Sequence, residues 1–339
     1  MNSHKQKVVT IGGGTGQFAL LSGLRDLEDI EITAVVSMAD SGGSTGRLRD
    51  ELGILPPGDV LKCILALSPY RNLARTIFLK RFASDLRLKG HNAGNLLLTV
   101  LSDYAGSFPA GIQALVEILD VRGRILPVTI DKTTLVAELS NGERIYGQAA
   151  INMPNGTQRE RIKDIFLVPH HTDSVSVYPP VIEALTRADY ILIGPGDLFT
   201  SILPNLIVPG VREALERTRA RIFYVVNIMT KFGETDHYTG QDFVAKVEEC
   251  IGRKVNGIIY NSKRPDERIL DQYRGEQAEF VEIEESAPCW GDRTIHACDL
   301  LDTSGGLVRH DSGKLALLIA KVLLKARKRT AGPRSRVRT

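Results

Sequence analysis

Three loops rich in glycine and hydroxyl side chains carry residue types that hold anions. The first, Gly12-Gly13-Gly14-Thr15-Gly16, follows the apolar run 8–11 and opens a helical pattern. Glycine lets the backbone approach a phosphate closely, and free amides at a helix start, aligned with its dipole, favour negative charge. Gly13, Gly14, Thr15 and Gly16 are the candidate contacts, and a tight strand-to-helix connection is the plain alternative. Spaced as Gly14-x-Gly16-x-x-Ala19, the same loop matches a dinucleotide fingerprint, with Asp40 standing 21 residues beyond Ala19 where a ribose-binding acid belongs. A dinucleotide ligand therefore stays open.

The second segment, Asp40-Ser41-Gly42-Gly43-Ser44-Thr45-Gly46-Arg47-Leu48-Arg49, reads as a glycine-rich turn combining a carboxylate, three hydroxyls and two guanidinium groups. Arg47 or Arg49 suits a bidentate bond to phosphate or carboxylate, and the hydroxyls suit phosphate or metal. The alternative is a surface loop whose arginines pair with Asp50 or Glu51. The third segment, Gly194-Pro195-Gly196-Asp197-Leu198-Phe199-Thr200-Ser201, follows another buried run, and Ser201 is among its candidate side chains. Gly194, Gly196, Asp197 and Thr200 there are candidates for a sugar hydroxyl, with helix capping as the other role for the side chains. Asn227 and Thr230 at the run 222–228, and His91, Asn92 and Asn95 at the start of a helical segment, complete the set. A charge at a helix start gains about 0.3–1 kcal/mol when exposed and up to ~2 kcal/mol when partly buried, whereas micromolar binding needs about 8 kcal/mol. No single loop suffices, so the ligand must span several, as a nucleotide diphosphate carrying a further group does.

The elements that must position these loops are short apolar strands alternating with helix-period segments. Runs 8–11, 32–38, 190–193, 222–228 and 255–260 read as buried strands, and 18–27, 181–187, 211–219 and 243–251 as the helices between or after them. This rhythm predicts an α/β fold with a doubly wound, mainly parallel, Rossmann-like sheet. Four helical segments, 60–67, 73–82, 95–104 and 112–119, interrupt it as a helical insertion over about 59–125. Residues 134–139 and 143–148 flank Ser140-Asn141-Gly142 and predict a β-hairpin extension.

The chain has 339 residues, 43% of them hydrophobic and 24% charged, an ordinary globular composition. No run approaches the roughly 18 apolar residues of a membrane span, and residues 1–7 are polar, so a cytoplasmic protein with no membrane span is expected. The formal charge of +3 is unevenly placed, because residues 321–339 hold eight of the 43 Lys and Arg and no acid. The remaining body is acidic, which argues against nucleic acid as a partner, and residues 330–339 read as a basic flexible tail. The dispersed cysteines fit a reducing compartment; Cys289, His296 and Cys298 lack a fourth zinc ligand, and His170-His171 reads as a loop. The phosphate loop ending in Lys-Ser/Thr, the Gly-x-Ser-x-Gly turn and the His-Glu-x-x-His helix are missing, which removes support for ATPase and triad-hydrolase functions.

Six segments in order resemble the motif set of the YvcK-type gluconeogenesis factors, relatives of CofD, the 2-phospho-L-lactate transferase. They are Gly12 to Gly16, Asp40 to Arg49, Pro56-Pro57-Gly58-Asp59, Gly90 to Leu98, Gly194 to Leu206, and Asn227-Ile228-Met229-Thr230-Lys231-Phe232-Gly233-Glu234-Thr235. The resemblance implies one CofD-like α/β domain over residues 1–329. It implies a cytoplasmic protein that binds UDP-sugars, notably UDP-N-acetylglucosamine, and supports cell-wall synthesis and cell shape during growth on gluconeogenic carbon sources. Cell-wall regulatory proteins and a second copy of the chain are the expected macromolecular partners. For this branch it implies binding and regulation rather than assigned catalysis. CofD relatives transfer a phospholactyl group from a nucleotide diphosphate with magnesium; on that alternative Asp40 is the candidate catalytic residue, and Asp40 with Asp59 the candidate magnesium ligands. The family commonly carries a second Asp where Ser41 stands here.

Overall fold

The computed structural model describes residues 5–84, 88–153 and 159–330. Of the basic tail expected from the sequence, residues 331–339 lie outside the described residues. The chain opens with β1 (Gln6–Gly12), α1 (Gly14–Leu24) and β2 (Ile30–Val36), the two strands pairing in parallel. Five helices follow: α2 (Gly43–Leu52), α3 (Gly58–Leu67), α4 (Arg71–Phe78), α5 (Ala93–Tyr104) and α6 (Phe108–Ile118). Then β3 (Arg124–Pro127) returns to pair in parallel with β2. Strands β4 (Thr133–Leu139) and β5 (Arg144–Tyr146), the short helix α7 (Gln148–Asn152) and β6 (Ile162–Pro169) come next. The three strands form a separate antiparallel sheet in the order β5-β4-β6.

The main sheet resumes through α8 (Pro179–Arg187) and β7 (Tyr190–Ile193), followed by a π-helical turn (Leu198–Ile202) and α9 (Leu203–Leu206). Helix α10 (Val211–Arg217), β8 (Arg221–Val225), α11 (Gly240–Ile251) and β9 (Gly257–Asn261) extend it, and α12 (Glu267–Gly275) leads to β10 (Thr294–Cys298). A two-stranded ribbon, β11 (Leu301–Asp302) with β12 (Arg309–His310), precedes α13 (Ser312–Thr330). The central sheet has seven strands in the order β10-β9-β8-β7-β1-β2-β3, parallel at every pairing. Strands buried on both faces explain the near-continuous apolar runs, as at Ile191, Leu192 and Ile193, all fully buried. The order of strands reverses between β1 and β7, and ligands of such sheets bind outside the carboxyl ends at that reversal.

The predicted doubly wound sheet and the hairpin at Asn141-Gly142 are present. Two strands of the main sheet were not read from the sequence. β3 is only four residues long and begins with an exposed Arg124; β10 is an edge strand whose sequence, Thr-Ile-His-Ala-Cys, mixes polar and apolar residues because one side has no neighbour. The segment expected as a second glycine turn is instead the start of helix α2: Gly42 is its N-cap and Gly43 its first residue. The hairpin does not lengthen the main sheet but pairs with β6 beside it.

One buried amide holds the reversal together. Asn205, fully buried on α9, donates from Nδ2 to the Gly12 carbonyl at 3.0 Å and to the Ser201 carbonyl at 2.8 Å. It thereby fixes the end of β1 to the turn that follows β7. A buried polar group that loses its partner costs about 1–3 kcal/mol. Asn205→Leu is expected to lower the free energy of unfolding by about that amount, read as a shifted midpoint in urea; an unchanged midpoint refutes this role.

Candidate functional site

Beyond the carboxyl ends of β1 and β7 the chain encloses a cavity of about 590 Å³. This lies within the range of about 300–1,000 Å³ usual for small-molecule sites. Its floor is the first glycine loop: Gly13, Gly14, Thr15 and Gly16 all line it. Gly14 has φ +64°, the left-handed region that side chains disfavour. At Gly16 an added Cβ would lie 2.2 Å from the Pro195 carbonyl oxygen, so only glycine permits the loop after β1 to rest on the loop after β7. Helix α1 begins here with no side-chain cap on its first amides. These amides are therefore left to water or a ligand.

One end of the cavity is acidic. Asp40 and Asp59 both line it, Asp59 paired with Lys62 at 2.9 Å. Asp40 accepts from the Gly42 amide at 3.0 Å. Burial, then the neighbouring charge of Asp59, holds its carboxyl above the usual range. Burial disfavours the Lys62 ammonium, but the Asp59 carboxylate outweighs it and the pKa is raised.

The other end is built by the segment after β8. Lys231 lines the cavity and meets Asp197 Oδ2 at 2.6 Å, Glu234 Oε1 at 3.0 Å and the Asn152 side-chain oxygen. Glu234 is 3% exposed, and burial, opposed by Lys231, pushes its pKa up to about 7. Thr200 Oγ1 donates to Glu234 Oε2 at 3.3 Å, beneath the cavity wall. Asn227 Nδ2 donates to the Gly196 carbonyl at 2.9 Å and leaves its Oδ1 buried without a partner. Thr230 lines the same wall and is held by the backbone of Glu279, with bonds of 2.7 and 2.8 Å. Burial lowers the His310 pKa to about 4, which leaves a neutral ring against the cavity.

Of the residues singled out from the sequence, the cavity therefore gathers Gly13, Gly14, Thr15, Gly16, Asp40, Asp59, Gly196, Asp197, Asn227 and Thr230. Gly194 follows β7 behind it, its amide bonded to the Ile11 carbonyl. The residues of α2 do not line it. Ser44 Oγ bonds His91 Nδ1 at 3.0 Å, and Asn95 Nδ2 donates to Ser44 Oγ at 3.3 Å and Thr45 Oγ1 at 3.4 Å. Asn92 caps α5 by accepting from the Asn95 amide at 2.7 Å. This buried polar knot ties α2 to α5, so the expectation that Asn95 lines the pocket is corrected. Ser41 Oγ accepts from the Ala149 amide at 2.9 Å, and Arg47 donates to the Lys89 carbonyl at 2.6 Å. Gly42 and Gly43 are spent starting α2.

Sequence reasoning missed Lys62, Asn152, Lys231, Arg309 and His310, all of which line the cavity. Lys231 lay inside a quoted motif but was not chosen, since a single lysine at a strand end carries no pattern of its own. Asn152 and Arg309 come from the side sheet and the ribbon, whose approach to the cavity is a matter of tertiary packing.

The two acids suit a magnesium ion. Among the described residues no three His, Cys, Asp or Glu side chains group as a metal site, but magnesium is commonly held by one or two carboxylates together with substrate phosphates. Asp40 and Asp59 are the two carboxylates that would hold it, with Lys62 already paired to Asp59.

Comparison with known proteins agrees with this architecture. The family model described as 2-phospho-L-lactate transferase CofD matches residues 8–298. A Thermotoga maritima protein is 40% identical over 322 residues, 93% of this chain and 99% of that one. The gluconeogenesis factor of Bacillus subtilis is 37% identical over 321 residues, 94% of this chain and 98% of the relative. A crystal structure of a Bacillus halodurans protein superposes with a TM-score of 0.86 at 36% identity, covering 93% of this chain and 99% of that chain. With that match across most of its length, the chain belongs to the CofD family, among the gluconeogenesis factors.

Proposed function

We propose that the chain binds a nucleotide diphosphate sugar, UDP-N-acetylglucosamine first among candidates, and acts as a cytoplasmic regulator supporting cell-wall synthesis and cell shape during gluconeogenic growth. The observation that carries the binding step is the uncapped amide turn at Gly13–Gly16 opening into the same cavity as Lys62 and Lys231. Backbone amides with two flanking ammonium groups suit a diphosphate. Asp40 and Asp197 offer carboxylates to ribose or sugar hydroxyls, and Phe232 and Tyr273 offer rings along the wall. The diphosphate cradle thus rests on the first loop with Lys62 and Lys231 beside it; of the α2 hydroxyls, Ser44 is spent on His91 and Thr45 bonds Asp40. The metabolic part of the reading is supported by the name of the Bacillus subtilis relative.

A second reading, magnesium-dependent transfer of a phospho-group from a nucleotide diphosphate donor, is favoured by one observation: the Asp40–Asp59 pair at the foot of the glycine loop. There Asp40 and Asp59 would hold the ion, which would offset charge on the leaving phosphate.

Calorimetric titration with UDP-N-acetylglucosamine is expected to show binding, and Gly16→Ala, which drives a methyl into the Pro195 carbonyl, is expected to weaken it about tenfold or more, roughly 1.4 kcal/mol. A circular dichroism spectrum checks that the variant is folded. No heat from the native protein at millimolar ligand defeats the binding reading. For the transferase reading, chromatography of the nucleotide products should show turnover that requires magnesium and is lost in Asp40→Asn; magnesium-independent product, or full activity in the variant, removes the role given to Asp40.

A further inference from the structure

We propose that Lys231 is the cation that receives the ligand's diphosphate, and that Glu234 competes for it and gives it up by taking a proton from solvent. The inference rests on the nucleotide-sugar reading above and deepens it. Lys231 has three ammonium donors and three protein acceptors around them: Asp197, Glu234 and Asn152. Yet it stands on the cavity wall with its side chain 30% exposed. A lysine tied only for structural reasons has no need of the cavity; this one faces it with its charge fully balanced.

The three acceptors differ. The Asp197 side chain is 40% exposed and keeps its hydration when the lysine leaves, and Asn152 is neutral. The Glu234 side chain is 1% exposed, so as an anion it cannot be re-solvated. Its Oε1 lies 3.0 Å from Lys231 Nζ as an ion pair, and Lys231 is the cation that faces it most directly. The other oxygen receives only the Thr200 hydroxyl. The charges facing Glu234 are Lys231 on its own segment, Asp197 at the start of the π-helical turn, and Arg159 ahead of β6, with Asp236 balancing Arg159.

A diphosphate that draws Lys231 toward itself leaves Glu234 a buried anion beside Asp197, with Arg159 as its only other cation among those groups. A buried carboxylate in that position takes a proton. The carboxyl already sits at about 7 with the lysine in place. Losing the lysine's attraction and gaining a nearby diphosphate both raise it further. Binding then takes up a proton, and by linkage affinity falls as the pH rises through 7.

The test uses UDP-N-acetylglucosamine, whose diphosphate has no group titrating between pH 6 and 8. Calorimetry in two buffers of unlike ionisation enthalpy counts protons taken up at pH 7. The native protein is expected to take up part of one proton and to lose about tenfold in affinity from pH 6 to 8. Glu234→Gln should take up none and should hold the native pH 6 affinity across the range, so that at pH 8 it binds tighter than the native protein. Lys231→Gln should bind about tenfold weaker or worse at both values, with Lys231→Arg recovering most of the loss. A merely structural ion network predicts the opposite sign for glutamine at 234: weaker binding, in step with Lys231→Gln. That result, or native affinity in folded Lys231→Gln, overturns the inference while leaving the nucleotide-sugar reading intact. Absence of native binding removes the reading and this inference with it.

Discussion

The molecule depends on one close approach, that of the Gly16 backbone to the Pro195 carbonyl. Two strands that diverge in the order of the sheet, β1 toward β2 and β7 toward β8, would otherwise send their loops apart. With no side chain between them the loops touch, and the crevice that every sheet of this kind has at its reversal becomes a closed-bottomed cavity. Asn205 completes the arrangement by bonding the carbonyl of Gly12 and that of Ser201 with one amide group. Packing of α1 against α3 and α13 keeps the helix start aimed at the opening. Bulk at the floor is thus excluded on steric grounds, before any ligand enters the account.

Around that floor, charge is distributed in balanced groups rather than as a single basic patch. Asp59 holds Lys62 at one end, and Asp197 with Glu234 holds Lys231 at the other. A cavity with bare ammonium groups would bind any anion, whereas paired ones yield only to a ligand that replaces what they lose. Such pairing costs affinity and adds discrimination. The same logic accounts for the acids: Asp40 and Asp59 lie close enough for the charge of one to raise the pKa of the other, which makes their end of the cavity receptive to a cation or to hydroxyl donors.

How much of this was legible in the sequence follows from the range of the forces involved. Buried parallel strands write themselves as unbroken β-branched runs, so β1, β2, β7, β8 and β9 could be read directly, as could the Asn141-Gly142 turn. The glycine loop after β1 was legible because its constraint is local to the backbone. Edge strand β10 was not, since half its residues face outward and carry no pattern. Ser41–Thr45 misled for a definite reason: glycine and hydroxyl residues serve an anion loop and a helix start equally well, and what decides between them is the buried His91 and Asn95 some fifty residues away, which draw the hydroxyls inward. Lys231 was invisible because its role comes from three acceptors on three separate segments.

The side sheet shows how such distant pieces become one site. Ser41, just before α2, holds the first turn of α7 through the Ala149 amide, and α7 ends at Asn152, which contacts both Lys231 and Thr200. The acidic end of the cavity and the Lys231 end are therefore joined across the hairpin sheet as well as through the glycine loop. An acid at position 41 would still accept that amide but would add a charge beside Asp40, where burial and Asp59 already disfavour ionisation. Serine keeps the mechanical tie and leaves out the charge. The charge at that end of the cavity is then that of Asp40, Asp59 and Lys62, and it is tied through α7 to the charge of Lys231 at the other.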